Sequence, residues 1–181
     1  AHFTPAVAVI EELKKYKAVK IVYVGRKTTL EGDNTKSQES RILPVLGVKF
    51  ISIISGRLHR TFTIYTIPSL IKIPIGFIQA LIIILKEKPG LVLSFGGYVA
   101  VPIVIIGWLL SIPIIVHEQT LISGLANKIS SFFADKIALS FDQKIKVDSK
   151  KIIITGNPIR DEVSKPNEYF LPSEYQKLFR K

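Results

Sequence analysis

The stretch PGLVLSFGGYVAVPIVIIGWLLSIPIIV, residues 89–116, holds 28 positions without a charged side chain or a His. Length and hydropathy alone would suit a membrane span. The internal punctuation argues otherwise. Gly96-Gly97, Pro102, Gly107 and Pro113 cut the stretch into short pieces. Residues 91–95 read as a strand buried on both faces, 100–110 as a buried helix, and 113–116 as a second strand. A strand, a crossover helix and a parallel strand explain the pattern with fewer exceptions than one long helix.

The same alternation runs outward in both directions. Thr4-Pro5 reads as an N-cap followed by Pro in the first helical position, opening a helix over 5–16 with Val9, Ile10 and Leu13 on its apolar face. Residues 20–24 (KIVYV) predict a strand, 37–46 a short helix and 48–54 a strand, with Gly32-Asp33-Asn34 as a turn between. An apolar helix is predicted near 68–86. Beyond the opening stretch come a helix over 123–133, with Ser123 as N-cap and Leu125, Ile129 and Phe132 on one stripe, then strands 136–140 and 151–155. The fold class is α/β: a Rossmann-like parallel sheet with helices on both faces. A strand ahead of the first helix is expected and is not in the sequence, so the first strand and most of the first strand-to-helix loop are read as missing. Residues 1–163 are taken as one domain and 164–181 as the start of a linker.

Composition narrows the function. The chain has 181 residues, so one ordinary α/β domain fits. It has no Cys, which excludes a disulfide framework, a Cys-ligated zinc site and a Cys nucleophile. Its three His are scattered and suggest no metal cluster. The net charge is +11, so an anionic partner is expected. Residues 1–90 carry 14 basic and 6 acidic side chains, and residues 91–181 carry 11 and 8. The basic excess thus accompanies residues 73–85, which are apolar but for Gln79 and are flanked by Lys72, Lys86 and Lys88. An apolar face ringed by cations is the composition of a peripheral membrane patch, and equally that of a core helix with solvated ends. Nothing pairs a basic stripe with interleaved aromatics, so no nucleic-acid partner is expected.

In parallel α/β sheets ligands bind at the carboxyl ends of the strands. Gly96-Gly97-Tyr98 follows one strand and opens a helix, where free N–H groups and the helix dipole favour a phosphate. The alternative is a tight turn and nothing more. His117-Glu118-Gln119 places three polar side chains directly after Ile114-Ile115-Val116, which suits a binding strip better than a core. His2, just ahead of a helix, could serve as base or anion ligand, and Arg160, after Gly156-Asn157-Pro158, could hold a phosphate.

Taken in order, HFTPAVAVIEEL (2–13), SGRLHR (55–60), SFGGYVAVP (94–102), IPIIVHEQT (112–120), GLANK (124–128) and GNPIR (156–160) resemble the N-terminal half of the MurG-type N-acetylglucosaminyltransferases, glycosyltransferase family 28. The resemblance reaches to about residue 165. It implies a GT-B architecture of two Rossmann-like domains, of which the C-terminal donor domain is absent here. It also implies inverting transfer of N-acetylglucosamine from UDP-N-acetylglucosamine to the 4-hydroxyl of undecaprenyl-diphosphoryl-muramoyl-pentapeptide in peptidoglycan synthesis, with no cofactor or metal. By position it makes His2 and Glu118 catalytic candidates, and Gly96, Gly97, Tyr98, His117 and Gln119 acceptor-binding residues. Thr120, where the family pattern has Asn, and Arg160 become donor-binding residues. Ile75, Phe77, Ile78, Leu81 and Trp108 become a membrane-docking patch on the cytoplasmic face of a bacterial membrane. The polypeptide alone is expected to be inactive.

Two alternatives stay within lipid-linked glycosyl transfer: the membrane-recruiting subunit of a split enzyme, and a glycolipid synthase of the same superfamily. A third, from another class, is a small integral membrane protein built on 73–116.

Overall fold

The structure, a computed structural model, describes residues 3–16, 18–28, 35–54, 66–143, 145 and 147–164. Strands and helices alternate: α1 (Phe3–Leu13), β1 (Val22–Gly25), α2 (Gln38–Val45), β2 (Lys49–Ser52), α3 (Thr66–Glu87), β3 (Val92–Ser94), α4 (Ala100–Leu109), β4 (Ile114–Glu118), α5 (Leu125–Phe133), β5 (Lys136–Leu139), a 3-10 turn (Ser149–Lys151), β6 (Ile152–Ile154) and α6 (Asp161–Ser164). The opening stretch is therefore strand, helix, strand. Among the described residues no helix is long and apolar enough to cross a membrane.

The strands form two parallel sheets, β1-β2 and β3-β4-β5-β6, where the sequence predicted one. Among the described residues β1 pairs only with β2, and β3 only with β4. The runs 18–26 and 91–100 line one cavity of about 880 Å3 together with Ala6, Ile10 and Leu13 of α1. No described strand bridges the two sheets.

Alternating side chains send the strands into separate cores. Tyr23 packs with Ile10 of α1 and Leu43 of α2, whereas its neighbour Val24 packs with Ala80 and Ile84 of α3 and Ile106 of α4. The third core joins Val104 of α4 to Val92, Ile114, Val116, Ile137 and Leu139. Leu43, Ile114 and Ile137 are fully buried, and each such side chain contributes about 1.5–3 kcal/mol. Thus α1 and α2 cover one side, and α3 and α4 the other.

Several local expectations change. The first helix is already formed at Phe3 and ends at Leu13, so Thr4 and Pro5 lie in its first turn. Proline fits there because those amides have no partner within the helix. The side chains it buries are Pro5, Ala6, Val7, Ala8 and Ile10, with Val9 and Leu13 half-buried. Ser37 caps α2, accepting from the Ser40 amide at 3.2 Å, a cap the sequence reading did not single out. The N-cap of α5 is Gly124, not Ser123, and it makes no side-chain cap. Leu125 and Phe132 of that helix face outward, 51% and 74% exposed, while Asn127, Ser130 and Ser131 are buried. The turn at 32–34, SGRLHR at 55–60 and the tail from 165 onward lie outside the described residues.

Candidate functional site

The loops after β1, β3, β4 and β6 converge. Gly96 and Gly97 follow β3 with φ of +95° and +82°, a region open to glycine and strained for other residues. The Gly96 amide donates to Ser94 Oγ at 3.2 Å, and the Ala100 amide to the Gly97 carbonyl at 3.1 Å, which starts α4. Tyr98 is met by Arg26 from the end of β1. Arg26 Nη1 donates to Tyr98 Oη at 3.0 Å, and its guanidinium carbon lies 5.5 Å from the ring centre. A cation thus stands beside a glycine turn at a helix N-terminus, an arrangement suited to an anion.

Glu118 ends β4 and is 2% exposed. Its Oε1 accepts from the Thr120 amide at 3.0 Å and the Thr120 hydroxyl at 2.7 Å. Its Oε2 accepts from Asn127 Nδ2 at 2.7 Å. Burial pushes the carboxyl pKa up, but hydrogen bonds from Thr120, Asn127 and Ser123 outweigh that and hold it below the ordinary glutamate value. Glu118 is therefore a buried carboxylate with both oxygens engaged, fastening the β4–α5 loop to α5. The Ser123 hydroxyl serves this carboxylate rather than capping the helix. Asn127 also reaches the turn after β3: a Cβ on Gly96 would collide with its amide group.

His117 is 3% exposed. Its Nε2 lies 3.3 Å from the Gly156 carbonyl and 3.4 Å from Ser140 Oγ, and its ring centre is 5.6 Å from that of Phe95. A carbonyl only accepts, so Nε2 carries the proton. Nδ1 is buried without a hydrogen-bond partner. Burial pushes the imidazole pKa below its ordinary value, against opposing effects of the Gly156 carbonyl and Glu118, so His117 is neutral at pH 7.

The predicted residues divide accordingly. Gly96, Gly97, Tyr98, His117 and Glu118 come together, with half-buried Gln119 and exposed Thr120 following on the same loop. Arg160 sits elsewhere in the bonding pattern. Its Nε lies 3.1 and 3.2 Å from the two Glu11 oxygens, and its Nη2 is 2.9 Å from Glu11 Oε1 and 3.2 Å from Glu162 Oε2, tying the chain after β6 to α1. His2 lies outside the described residues. Of the patch residues, Ile75, Ile78, Leu81 and Trp108 are exposed, but Phe77 packs inward beside Ala80 and Ile84. Phe77, Ala80 and Ile84 share the buried stripe of α3, while Ile82 and Leu85, which sequence reasoning passed over, share the outer one. Arg26, directly after the first predicted strand, was given no role by sequence reasoning, because its partner Tyr98 lies 72 positions away. Asn127 stands inside GLANK and was missed as a site residue, although Glu118 is only nine positions before it.

Comparison with known proteins identifies the family and the fold. The Glycosyltransferase family 28 N-terminal domain pattern matches residues 2–139. A UDP-N-acetylglucosamine–N-acetylmuramyl-(pentapeptide) pyrophosphoryl-undecaprenol N-acetylglucosamine transferase of Caldicellulosiruptor saccharolyticus is 40% identical over 170 residues, 92% of this chain and 44% of that protein. Its namesake from Clostridium tetani is 37% identical over 168 residues, with the same coverage. This chain therefore spans under half the length of these relatives. The crystal structure of Acinetobacter baumannii MurG shares the fold with a TM-score of 0.68 at 24% identity, over 92% of this chain and 44% of that one. The chain belongs to glycosyltransferase family 28, as its N-terminal domain.

Proposed function

We propose that the protein carrying this chain transfers N-acetylglucosamine from UDP-N-acetylglucosamine to the 4-hydroxyl of an undecaprenyl-diphosphate-linked muramoyl-pentapeptide, and that this chain forms the acceptor side. The observation that carries the reading is the cradle of Gly96, Gly97 and Tyr98 at the N-terminus of α4 with Arg26 beside it. Two glycines leave room for the backbone to approach a diphosphate, and Arg26 supplies charge and directed donors. The relatives' names supply the acceptor and donor.

In the proposed reaction the acceptor 4-hydroxyl attacks the anomeric carbon. The bond from that carbon to UDP breaks as the new glycosidic bond forms, and the hydroxyl proton passes to a base. His2 takes the role of base. Glu118, with both oxygens committed, acts by holding the β4–α5 loop in place. Thr120 and Arg160 reach the donor only by exchanging their present partners, Glu118 and Glu11. The donor domain is supplied by the part of the relatives' length beyond this match. The protein docks peripherally on the cytoplasmic face of the membrane through the outer stripe of α3 and Trp108, since an acceptor held in the bilayer requires an enzyme that comes to it.

The test uses the complete protein with UDP-N-acetylglucosamine and a short-chain lipid-linked muramoyl-pentapeptide, following UDP release and disaccharide product. Product that is lost in His2→Ala supports the reading. Turnover of a different lipid acceptor only, or activity that needs a separate second subunit, overturns it.

A further inference from the structure

The segment after β6 is fastened to α1 by charge more than by packing. Gly156, with φ of +75°, turns the chain out of β6, and its carbonyl faces His117 Nε2 at 3.3 Å. Four residues on, Arg160 is taken up by α1. Its Nε and Nη2 lie 2.9–3.2 Å from the Glu11 carboxylate, and Nη2 also lies 3.2 Å from Glu162 Oε2. Beside this pair, Lys15 of α1 meets Asp161 at 3.6 Å. Under these ion pairs is a cavity of about 290 Å3, lined by Ala8, Val9 and Leu13 of α1 and by Pro158 and Ile159. Ile159 is exposed and does not fill it. The seam is thus clasped at its rim and unfilled beneath.

The clasp is of a kind that exchanges. The Arg160 and Glu11 side chains are 32% and 31% exposed, so water reaches both charges and the pair is weaker than a buried one. The second carboxylate, Glu162, is 77% exposed and holds Arg160 more weakly still. Nη1 makes none of these bonds. A diphosphate carries more charge than one carboxylate and offers several acceptor oxygens to the guanidinium fork, so it competes for Arg160 on favourable terms. Reach is short as well. The four residues from Gly156 to Arg160 span at most about 14 Å, so a released Arg160 stays near the loops that end β4 and β6.

We propose that Glu11 is a positioning residue for the nucleotide-sugar donor: in the empty protein it holds Arg160 on α1, and the donor diphosphate binds by drawing the guanidinium off Glu11. The proposal rests on the donor role given to Arg160 under Proposed function and adds to it the carboxylate that competes. Donor affinity is then set by the difference between two ion pairs, one within the chain and one to the diphosphate. It is lowered by the fraction of molecules in which Arg160 is clasped. The consequence runs opposite to ordinary damage: removing Glu11 tightens donor binding.

Isothermal titration calorimetry of the complete protein with UDP-N-acetylglucosamine measures the donor Kd. Arg160→Ala raises it about tenfold. Glu11→Gln lowers it about two- to fivefold, a gain that a merely loosened structure does not give. Glu11→Asp keeps the charge and stays close to the unaltered protein. In the Arg160→Ala background Glu11→Gln has no further effect, because the latch has nothing left to hold. Unchanged or weaker binding by Glu11→Gln, with Arg160→Ala still impaired, overturns the latch and leaves the donor reading of Arg160 standing. Unchanged binding by Arg160→Ala overturns both. Tightening by Glu11→Gln that persists in the Arg160→Ala background also overturns the latch, since Glu11 then acts on the donor without Arg160. Circular dichroism checks folding. If Glu11→Gln does not fold, Glu162→Gln decides: at that exposed side chain a smaller tightening supports the latch, and none overturns it.

Discussion

Asn127 and Glu118 meet across 2.7 Å in the buried space between α5 and β4, and the other end of the same Asn127 amide abuts Gly96. One side chain thus fastens the loop after β4 to the glycine turn after β3. Replacing Asn127 with Ala removes a donor from a buried carboxylate and opens the space against Gly96. The expected loss is about 1–3 kcal/mol in urea unfolding of the complete protein. Asn127→Asp is expected to cost more, because it sets a second carboxylate against Glu118. An Asn127→Ala protein as stable as the original would show that Glu118 does not depend on this bond.

Gly96 faces the same contact from the opposite side. Ala at 96 would need φ of +95°, and its Cβ would collide with the Asn127 amide group. Strain and overpacking together are expected to cost about 2–4 kcal/mol. Combining Gly96→Ala with Asn127→Ala removes the clash but not the backbone strain. The double variant is therefore expected to lose less than the two single losses added together. Simple additivity would place the Asn127 contact elsewhere.

Acid should loosen this centre through two groups of like sign. Glu118 has its native pKa held below the ordinary value, so its contribution is complete above the unfolded carboxylate range and is lost as pH falls through the native value. His117 is also depressed, chiefly by burial, so its neutral form is favoured; its contribution is complete above the ordinary His range, near about 6.5, and is lost as pH falls through its lower native pKa. Stability measured against pH should therefore fall on the acid side in two overlapping stages. Glu118→Gln should flatten the lower stage and His117→Gln the upper. Parallel profiles for the variants and the original would refute the assignment.

The strand–helix–strand reading of 89–116 was legible because Gly and Pro interrupt the apolar run at spacings a single helix cannot use. The glycine turn was legible for a related reason, since φ above zero selects glycine. Hydrophobic patterning found the stripe of α5 but not its direction. Leu125, Ile129 and Phe132 recur at helical spacing, and Leu125 and Phe132 face outward, while Asn127 is drawn inward by Glu118. Periodicity marks a stripe without saying which way it faces. Phe77 shows the same limit, since only the inward packing of Ala80 and Ile84 separates it from Ile78. The Glu11–Arg160 pair joins residues 149 positions apart, and no local signal in either segment announces it.

Arg26 offers the most direct test of the acceptor cradle. Its Nη1 is held by Tyr98 Oη at 3.0 Å, which keeps the cation beside Gly96 and Gly97 rather than free in solvent. A charge-assisted bond to a phosphate oxygen contributes about 1.5–3 kcal/mol, so Arg26→Ala should raise the acceptor KM roughly tenfold to a hundredfold. The KM for UDP-N-acetylglucosamine should stay unchanged, because the proposed role touches only the acceptor. Arg26→Lys keeps the charge but loses the forked geometry, and should fall between the two. Tyr98→Phe removes the hydroxyl while keeping the ring, so it should weaken acceptor binding less than Arg26→Ala and add little on top of it. Steady-state kinetics with both substrates varied separates these outcomes. A rise in the donor KM with an unchanged acceptor KM would move Arg26 to the donor side and remove the observation on which the acceptor reading stands.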